Sequence, residues 1–171
     1  MHGNDSPGAD AARPARSAAH DPVTFDRNAY RFRTEVRVRL SETDAVGIVY
    51  FGSFATFMDV GRMDYLDNLG LTRLGGPVRD LIPGAVVHTS TDFHRPARYN
   101  DVLEINVRIA RIGRTSYTFH YLIADRRSAS VVATGRMALA WLDESFAPMD
   151  VPDEFRTTVE QFEGRSLRSD A

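Results

Sequence analysis

The sequence contains no cysteine and no lysine: all 21 of its basic residues are arginine, set against 23 aspartates and glutamates for a formal net charge of −2. Without cysteine there is no disulfide framework, no thiolate-ligated zinc and no catalytic thiol. Without lysine there is no Schiff base and no Walker-type phosphate cradle. The near balance of charge argues against a dedicated nucleic-acid binder, whose affinity would rest on excess positive charge facing the phosphates. Long apolar runs are missing as well; none approaches the roughly 18 residues that a membrane span requires. His88, His94 and His120 show neither HExxH nor short His-x-His spacing, so no metal is expected. No glycine pattern follows a strand and opens a helix in the dinucleotide manner, and no cofactor is expected either.

What remains is a chain of 171 residues, enough for one domain with trimmings. Residues 1–27, rich in Ala, Pro, Gly and Asp, have little apolar surface to offset chain entropy and read as a disordered tail. They carry no apolar core of a signal peptide, which makes the cytoplasm the expected compartment. The domain is expected over 28–163, with 164–171 frayed.

Within it, Tyr30, Phe32, Thr34, Val36, Val38 and Leu40 alternate with charged residues, the period of a half-buried strand. Phe54, Phe57, Met58, Gly61, Tyr65, Leu66 and Leu69 then recur at spacings of three and four, predicting a helix over 53–69 closed by Gly70. Strands follow at about 85–93, 102–111, 115–125 and 131–142, the middle two joined at Gly113 and Arg114 as a tight hairpin. A short helix, about 152–162, opens on a proline with acidic residues in its first turn. One sheet of five strands with a single long helix cannot cover itself. The reading is an α+β domain whose sheet curls round the helix and whose remaining surface invites a second subunit.

The densest chemistry lies between the first strand and the helix, in Ser41-Glu42-Thr43-Asp44-Ala45-Val46-Gly47-Ile48-Val49-Tyr50-Phe51-Gly52-Ser53-Phe54. Here a carboxylate, Asp44, stands opposite the unpaired N–H groups of a helix start, where negative charge is stabilised. Such a pair can attack, or activate water against, a thioester or ester carbonyl while the amides hold the oxyanion. The competing reading is a turn-forming Asp ahead of a Gly.

The stretch VRLSETDAVGIVYFGSFATFMDVGRMDYL resembles the signature of the hotdog-fold acyl-CoA thioesterases of the 4-hydroxybenzoyl-CoA thioesterase family. The resemblance continues in Asp92 to Leu103, in Arg114-Thr115-Ser116-Tyr117 and in Ala133-Thr134-Gly135, covering about 30–150. It implies a five-stranded antiparallel sheet wrapped round a long helix, assembled as a homodimer or homotetramer with sites at the subunit interface. It also implies hydrolysis of an acyl-CoA or acyl-carrier thioester, with Asp44 as nucleophile or general base, the N–H near Phe51 as oxyanion donor and Tyr50 beside it. Gly47, Asp59 and His88 would meet the substrate, Asp59 from across the interface. Arg114, Thr115 and Ser116 would grip the pantetheine and phosphates of coenzyme A, where a forked guanidinium suits a phosphate. Arg126 and Arg127 at the next turn read as a solvated pair that could join them, and Arg62 as a structural partner of Asp59. Phe51 replaces the Tyr or His common in the family, and Gly84 and Ala85 stand where some relatives carry hydroxyls. The alternative kept open is a hotdog scaffold that binds acyl thioesters without cleaving them.

Overall fold

The computed structural model describes residues 22–72, 84–143 and 145–167. Five strands form one antiparallel sheet: β1 (Phe32–Arg37), β2 (Ala85–Phe93), β3 (Val102–Ile112), β4 (Ser116–Asp125) and β5 (Val131–Ala140), in the order β1-β3-β4-β5-β2. Helix α1 (Ser53–Asn68) lies in the concave face and α2 (Asp153–Glu163) follows β5.

Alternation decides which face each strand gives to the helix. Leu103, Ile105, Val107 and Ile109 of β3 face inward with Tyr117, Phe119 and Tyr121 of β4, and all are essentially inaccessible. Gly61 of α1 sits against Ile105 and Val107, where a Cβ would come within 2.9 Å of both Cγ2 atoms. From the sheet's side, a Cβ on Gly135 would collide with the Met58 sulfur. Two glycines, one on each surface, therefore let helix and sheet approach closely. Tyr65, fully buried, meets Phe32, Phe119 and Phe162 edge-on with centroids 5.5–5.7 Å apart, the arrangement aromatic quadrupoles favour. Helix α1 stops as expected, with Gly70 at φ +68° and the Leu71 N–H returning to the Leu66 carbonyl at 2.9 Å.

Several boundaries differ from the sequence expectation, each for a local reason. The alternation runs to Leu40, but β1 ends at Arg37, because Leu40–Glu42 winds into a 3-10 turn closed by the Arg39 N–H on Glu42 Oε2 at 2.7 Å. Leu40 is left 71% exposed. The hairpin loop takes in Thr115 as well as Gly113 and Arg114, with the Gly113 N–H on the Ser116 carbonyl. Strand β5 stops at Ala140, and Pro152 caps α2 from outside.

The tails also shift. Thr24 to Arg27 already lie on the convex face: the Tyr30 hydroxyl donates to the Thr24 carbonyl, the Phe25 ring meets His94 edge-on at 5.2 Å, and Arg27 pairs with Glu104. Burial raises the Glu104 carboxyl, but the Arg27 and Asn106 hydrogen bonds outweigh it and hold the carboxyl below its ordinary value. At the other end Leu167 is buried, and its carbonyl accepts the Ile112 N–H at 2.9 Å. Strand β1 pairs with β3 only up to Val107, so the edge of β3 beyond it is covered by this C-terminal segment. The rest of the expected tails, 1–21 and 168–171, and the loop 73–83 lie outside the described residues.

The far edge is different. Among the described residues β2 pairs only with β5, and most of its residues are exposed, Val86 at 47% and Val87 at 62%. An apolar strand edge left open is a template for another strand.

Candidate active site

Asp44 stands where β1's continuation turns back toward α1. Its N–H donates to the Ile48 carbonyl at 2.9 Å, and the Gly47 N–H returns to its own carbonyl at 3.0 Å. Gly47 is at φ +82°, a conformation that costs an L-residue strain and glycine none. The turn is cinched by the Asp44 side chain: Oδ1 accepts the Val46 N–H at 2.8 Å and lies 3.4 Å from the Ile48 N–H. The loop is then stitched to the sheet by the Val49 N–H on the Ala97 carbonyl at 2.8 Å. One carboxylate oxygen is thus committed to the turn, and Oδ2 makes no hydrogen bond among the described residues.

The helix start lies opposite. It is entered through a tight turn in which Ser53, Phe54 and Ala55 donate to the carbonyls of Tyr50, Phe51 and Gly52 at 2.9, 3.3 and 3.2 Å. The N–H groups of Phe51 and Gly52, one step earlier, donate to no acceptor among the described residues. Between carboxylate and helix lies a cleft of about 550 Å³, lined by Asp44, Ile48, Val49, Phe51, Phe54, Phe93 and residues 94–97. A carboxylate, two unpaired backbone donors and an apolar wall are the elements that acyl-transfer chemistry uses.

The other sequence-singled residues are distributed around this cleft rather than gathered in it. Tyr50 is half exposed, its ring tilted over Phe51 at 4.4 Å, and neither it nor Gly47 lines the cleft. His88 lies in mid-β2 opposite Ala138, on the convex face, exposed. Asp59 is half exposed nearly two turns along α1, its Oδ1 accepting Arg62 Nε at 3.1 Å as well as Nη2. The Arg62 side chain is 5% exposed and packs inward near Tyr117 and Tyr121, whose hydroxyls burial raises well above the ordinary range. Arg114, Thr115 and Ser116 are at the opposite end of the sheet, roughly 33 Å of strand away from Val102 and Asp125. The Arg114 guanidinium there is paired with Asp150 at 2.6 Å. Arg126 pairs with Glu35 at 3.0 Å, and both Arg126 and Arg127 are exposed.

Two residues of the cleft were not legible in advance. Phe93 ends β2 and meets Phe54 edge-on at 5.1 Å; the segment Asp92 to Leu103 carries part of the family resemblance, but strand alternation alone assigns Phe93 no place in the cleft. His94 follows it, but its Nε2 lies 3.0 Å from Thr134 Oγ1 and its ring against Phe25, so the imidazole belongs to the convex face. Among the described residues no group of three or more His, Asp and Glu could hold a metal, and no helix is long and apolar enough to cross a membrane.

Comparison with known proteins gives the family and the fold. The thioesterase superfamily matches residues 46–132, a span that begins just after Asp44. The 1,4-dihydroxy-2-naphthoyl-CoA hydrolase of Synechocystis is 29% identical over 126 residues, 71% of this chain and 90% of that protein. The acyl-CoA thioester hydrolase YbgC of Escherichia coli O157:H7 is 30% identical over 92 residues, 54% of this chain and 68% of that protein. Among solved structures, a Thermus thermophilus thioesterase crystallised with coenzyme A and zinc superposes with a TM-score of 0.70 at 24% identity, covering 80% of this chain and 98% of that one. A five-stranded antiparallel sheet wrapped on one long helix, shared with these structures, is the hotdog fold. The chain belongs to the thioesterase superfamily, a family of thioester hydrolases.

Proposed function

We propose that this protein hydrolyses the thioester of an acyl-CoA or acyl-carrier substrate, with Asp44 as the catalytic carboxylate and the Phe51 and Gly52 amides as oxyanion donors. The observation that supports the reading is that Asp44 and Phe51, whose amide is unpaired among the described residues, line one cleft, with the unpaired Gly52 amide next in the chain. Bound there, the thioester carbonyl would direct its oxygen at the amides and its carbon at Asp44 Oδ2 or at a water that Oδ2 deprotonates. With water as nucleophile, Oδ2 takes its proton as the new C–O bond forms, negative charge collects on the carbonyl oxygen, and collapse breaks the C–S bond, the thiolate leaving as thiol with that proton and the acyl group as free acid. With Oδ2 as nucleophile, collapse expels the thiolate and leaves a mixed anhydride on Asp44, which a water then hydrolyses to free acid and the restored carboxylate, its proton passing to the thiolate. Preorganised donors aimed at that developing charge are worth about 3 kcal/mol each in systems where one has been removed.

Assembly belongs to the same reading. The open β2 edge, with Val86 and Val87 exposed, supports a two-fold dimer in which β2 pairs antiparallel with its copy. Reversal across that axis would lay the partner's hairpin end beside this protomer's cleft. The separation of Arg114, Thr115 and Ser116 from Asp44 within one chain is then what a shared site requires. Arg114 would exchange Asp150 for a coenzyme A phosphate, and Asp59 would face the partner's acyl group.

The test is Asp44→Asn. The amide keeps an oxygen for the Val46 N–H, so the turn and the melting temperature are retained, while thiol release from an acyl-CoA panel falls by orders of magnitude. Near-wild-type turnover would leave Asp44 as a turn-former only and defeat the assignment.

A further inference from the structure

We infer that the convex face of the sheet carries a phosphate-binding site built on Arg108 and Arg136, separate from the cleft beside Asp44 and from the Arg114 hairpin. Alternation turns Arg108 of β3 away from α1, since Val107 and Ile109 on either side of it face inward. Register then sets Arg108 opposite His120 of β4, His120 opposite Arg136 of β5, and Arg136 opposite Ser90 of β2. One row across the sheet thus reads Arg108, His120, Arg136, Ser90, with Thr118 and Thr134 in the rows beside it. The two arginines stand two strand spacings apart, about 9.5 Å between Cα atoms, a span across which both forks can close on one tetrahedral anion above His120.

Both arginines are half-buried, and among the described residues neither enters an ion pair. In this they differ from Arg27, Arg62, Arg114 and Arg126, each matched to a carboxylate. The nearby acidic groups are engaged elsewhere or stand off: Glu104 holds Arg27, Glu163 accepts from Tyr65 and Ile109, and Asp92, opposite Thr134, forms no ion pair with Arg136. Arg108 lies over the Tyr30 ring at 5.4 Å, and its Nε is shut off from solvent without an acceptor among the described residues. Stacking on the ring fixes the guanidinium plane and leaves its Nη edge for a ligand lying in that plane. Two like charges held half-buried in one row repel each other, and a phosphate between them removes that cost while accepting from a fork on each side. Tyr30 is 8% exposed and covered by Arg108, so its ring offers no surface to a base. The site therefore recognises the phosphate group alone.

Calorimetric titration of the full chain with inorganic phosphate, AMP and adenosine, at constant ionic strength with chloride as the balancing anion, tests the site. Because Arg114 is a second place where phosphate could bind, the titrations are repeated in Arg114→Gln. Phosphate should bind saturably to the wild type and to Arg114→Gln alike, AMP no more tightly than phosphate, and adenosine not at all. Arg136→Gln and Arg108→Gln should each weaken phosphate binding by about tenfold or more. Arg136→Gln, which disturbs no stacked ring, carries the test alone if Arg108→Gln does not fold. No saturable phosphate binding, binding that disappears in Arg114→Gln, or binding that persists unchanged in folded Arg136→Gln would overturn the inference. AMP binding more tightly than phosphate to Arg114→Gln would overturn it as well, since the base would then belong to the ligand. Thiol release does not enter the readout, so failure of this site leaves the hydrolytic reading standing.

Discussion

Replacing Glu163 by glutamine should flatten the pH dependence of this protein's stability. Glu163 closes α2, is 6% exposed, and its Oε1 accepts both the Tyr65 hydroxyl at 2.7 Å and the Ile109 N–H at 3.1 Å. It thereby joins α2, α1 and the part of the β3 edge that β1 does not reach. Burial raises its carboxyl above the ordinary value of 4.5, against the lowering effect of the Tyr65 and Ile109 hydrogen bonds. The raised value means that the folded protein retains a proton the unfolded chain has given up. Its stabilising contribution is complete below about pH 4.5 and is lost as pH rises through the folded-state value. Across that window the slope from this one proton is at most about 1.4 kcal/mol per pH unit. Glutamine keeps an acceptor oxygen for both donors and removes the titration, so the variant should gain on the wild type as pH increases from 4.5 toward neutrality. Alanine instead strands two buried donors, costing about 1–3 kcal/mol for each. Urea midpoints for the three proteins between pH 4 and pH 8 read both effects. Parallel pH profiles for wild type and Glu163→Gln would refute the reasoning.

Gly61→Val should destabilise the protein: its Cβ meets Ile105 and Val107 at 2.9 Å, an overpacking cost of about 1–3 kcal/mol. The part of that cost which helix propensity returns is smaller for valine than for alanine, so Gly61→Ala should melt above Gly61→Val by calorimetry. Val87→Glu, on the open edge of β2, should leave the melting curve of a dilute monomer intact and lower the mass measured by light scattering toward one chain; an unchanged dimer mass would move the interface elsewhere. Glu104→Ala should release Arg27 and loosen residues 24–30, seen as faster proteolysis ahead of β1 with turnover retained.

The all-arginine composition takes on particular meanings once the chain is folded. Arg156 donates to the Ile112 and Gly113 carbonyls at 3.2 and 2.9 Å, Arg31 to the Phe162 carbonyl at 2.8 Å, and Arg165 to the Ala110 carbonyl at 3.2 Å. These forks satisfy carbonyls at the ends and edges of β3 and α2, work that needs several directed donors on one side chain. Arg114, singled out from sequence as a phosphate contact, is neutralised by Asp150 in the free chain, so its proposed role requires an exchange of partners.

The long elements were legible because their periods are unambiguous. The inward faces of β3 and β4 and the stripe of α1 each repeat often enough for burial to follow from spacing alone, and a helix with Gly61 in that stripe had to be closely wrapped. The Asp44–Gly47 turn was legible too, since carboxylate, glycine and helix start are neighbours in the chain and the geometry among them is local. What spacing did not contain were the contacts between residues far apart in sequence. Phe93 comes to Phe54 because β2 crosses to the far side of β5, and Leu167 comes to Ile112 because β1 stops short along β3. Local order in the chain thus determined the Asp44–Gly47 turn and the core stripe, whereas tertiary structure decided the walls of the cleft, the turning away of His94 and the separation of Arg114 from Asp44. The physical reason is that hydrogen bonding and alternation act between near neighbours. Strand order and register, which place distant side chains together, are settled only when the whole sheet closes on its helix.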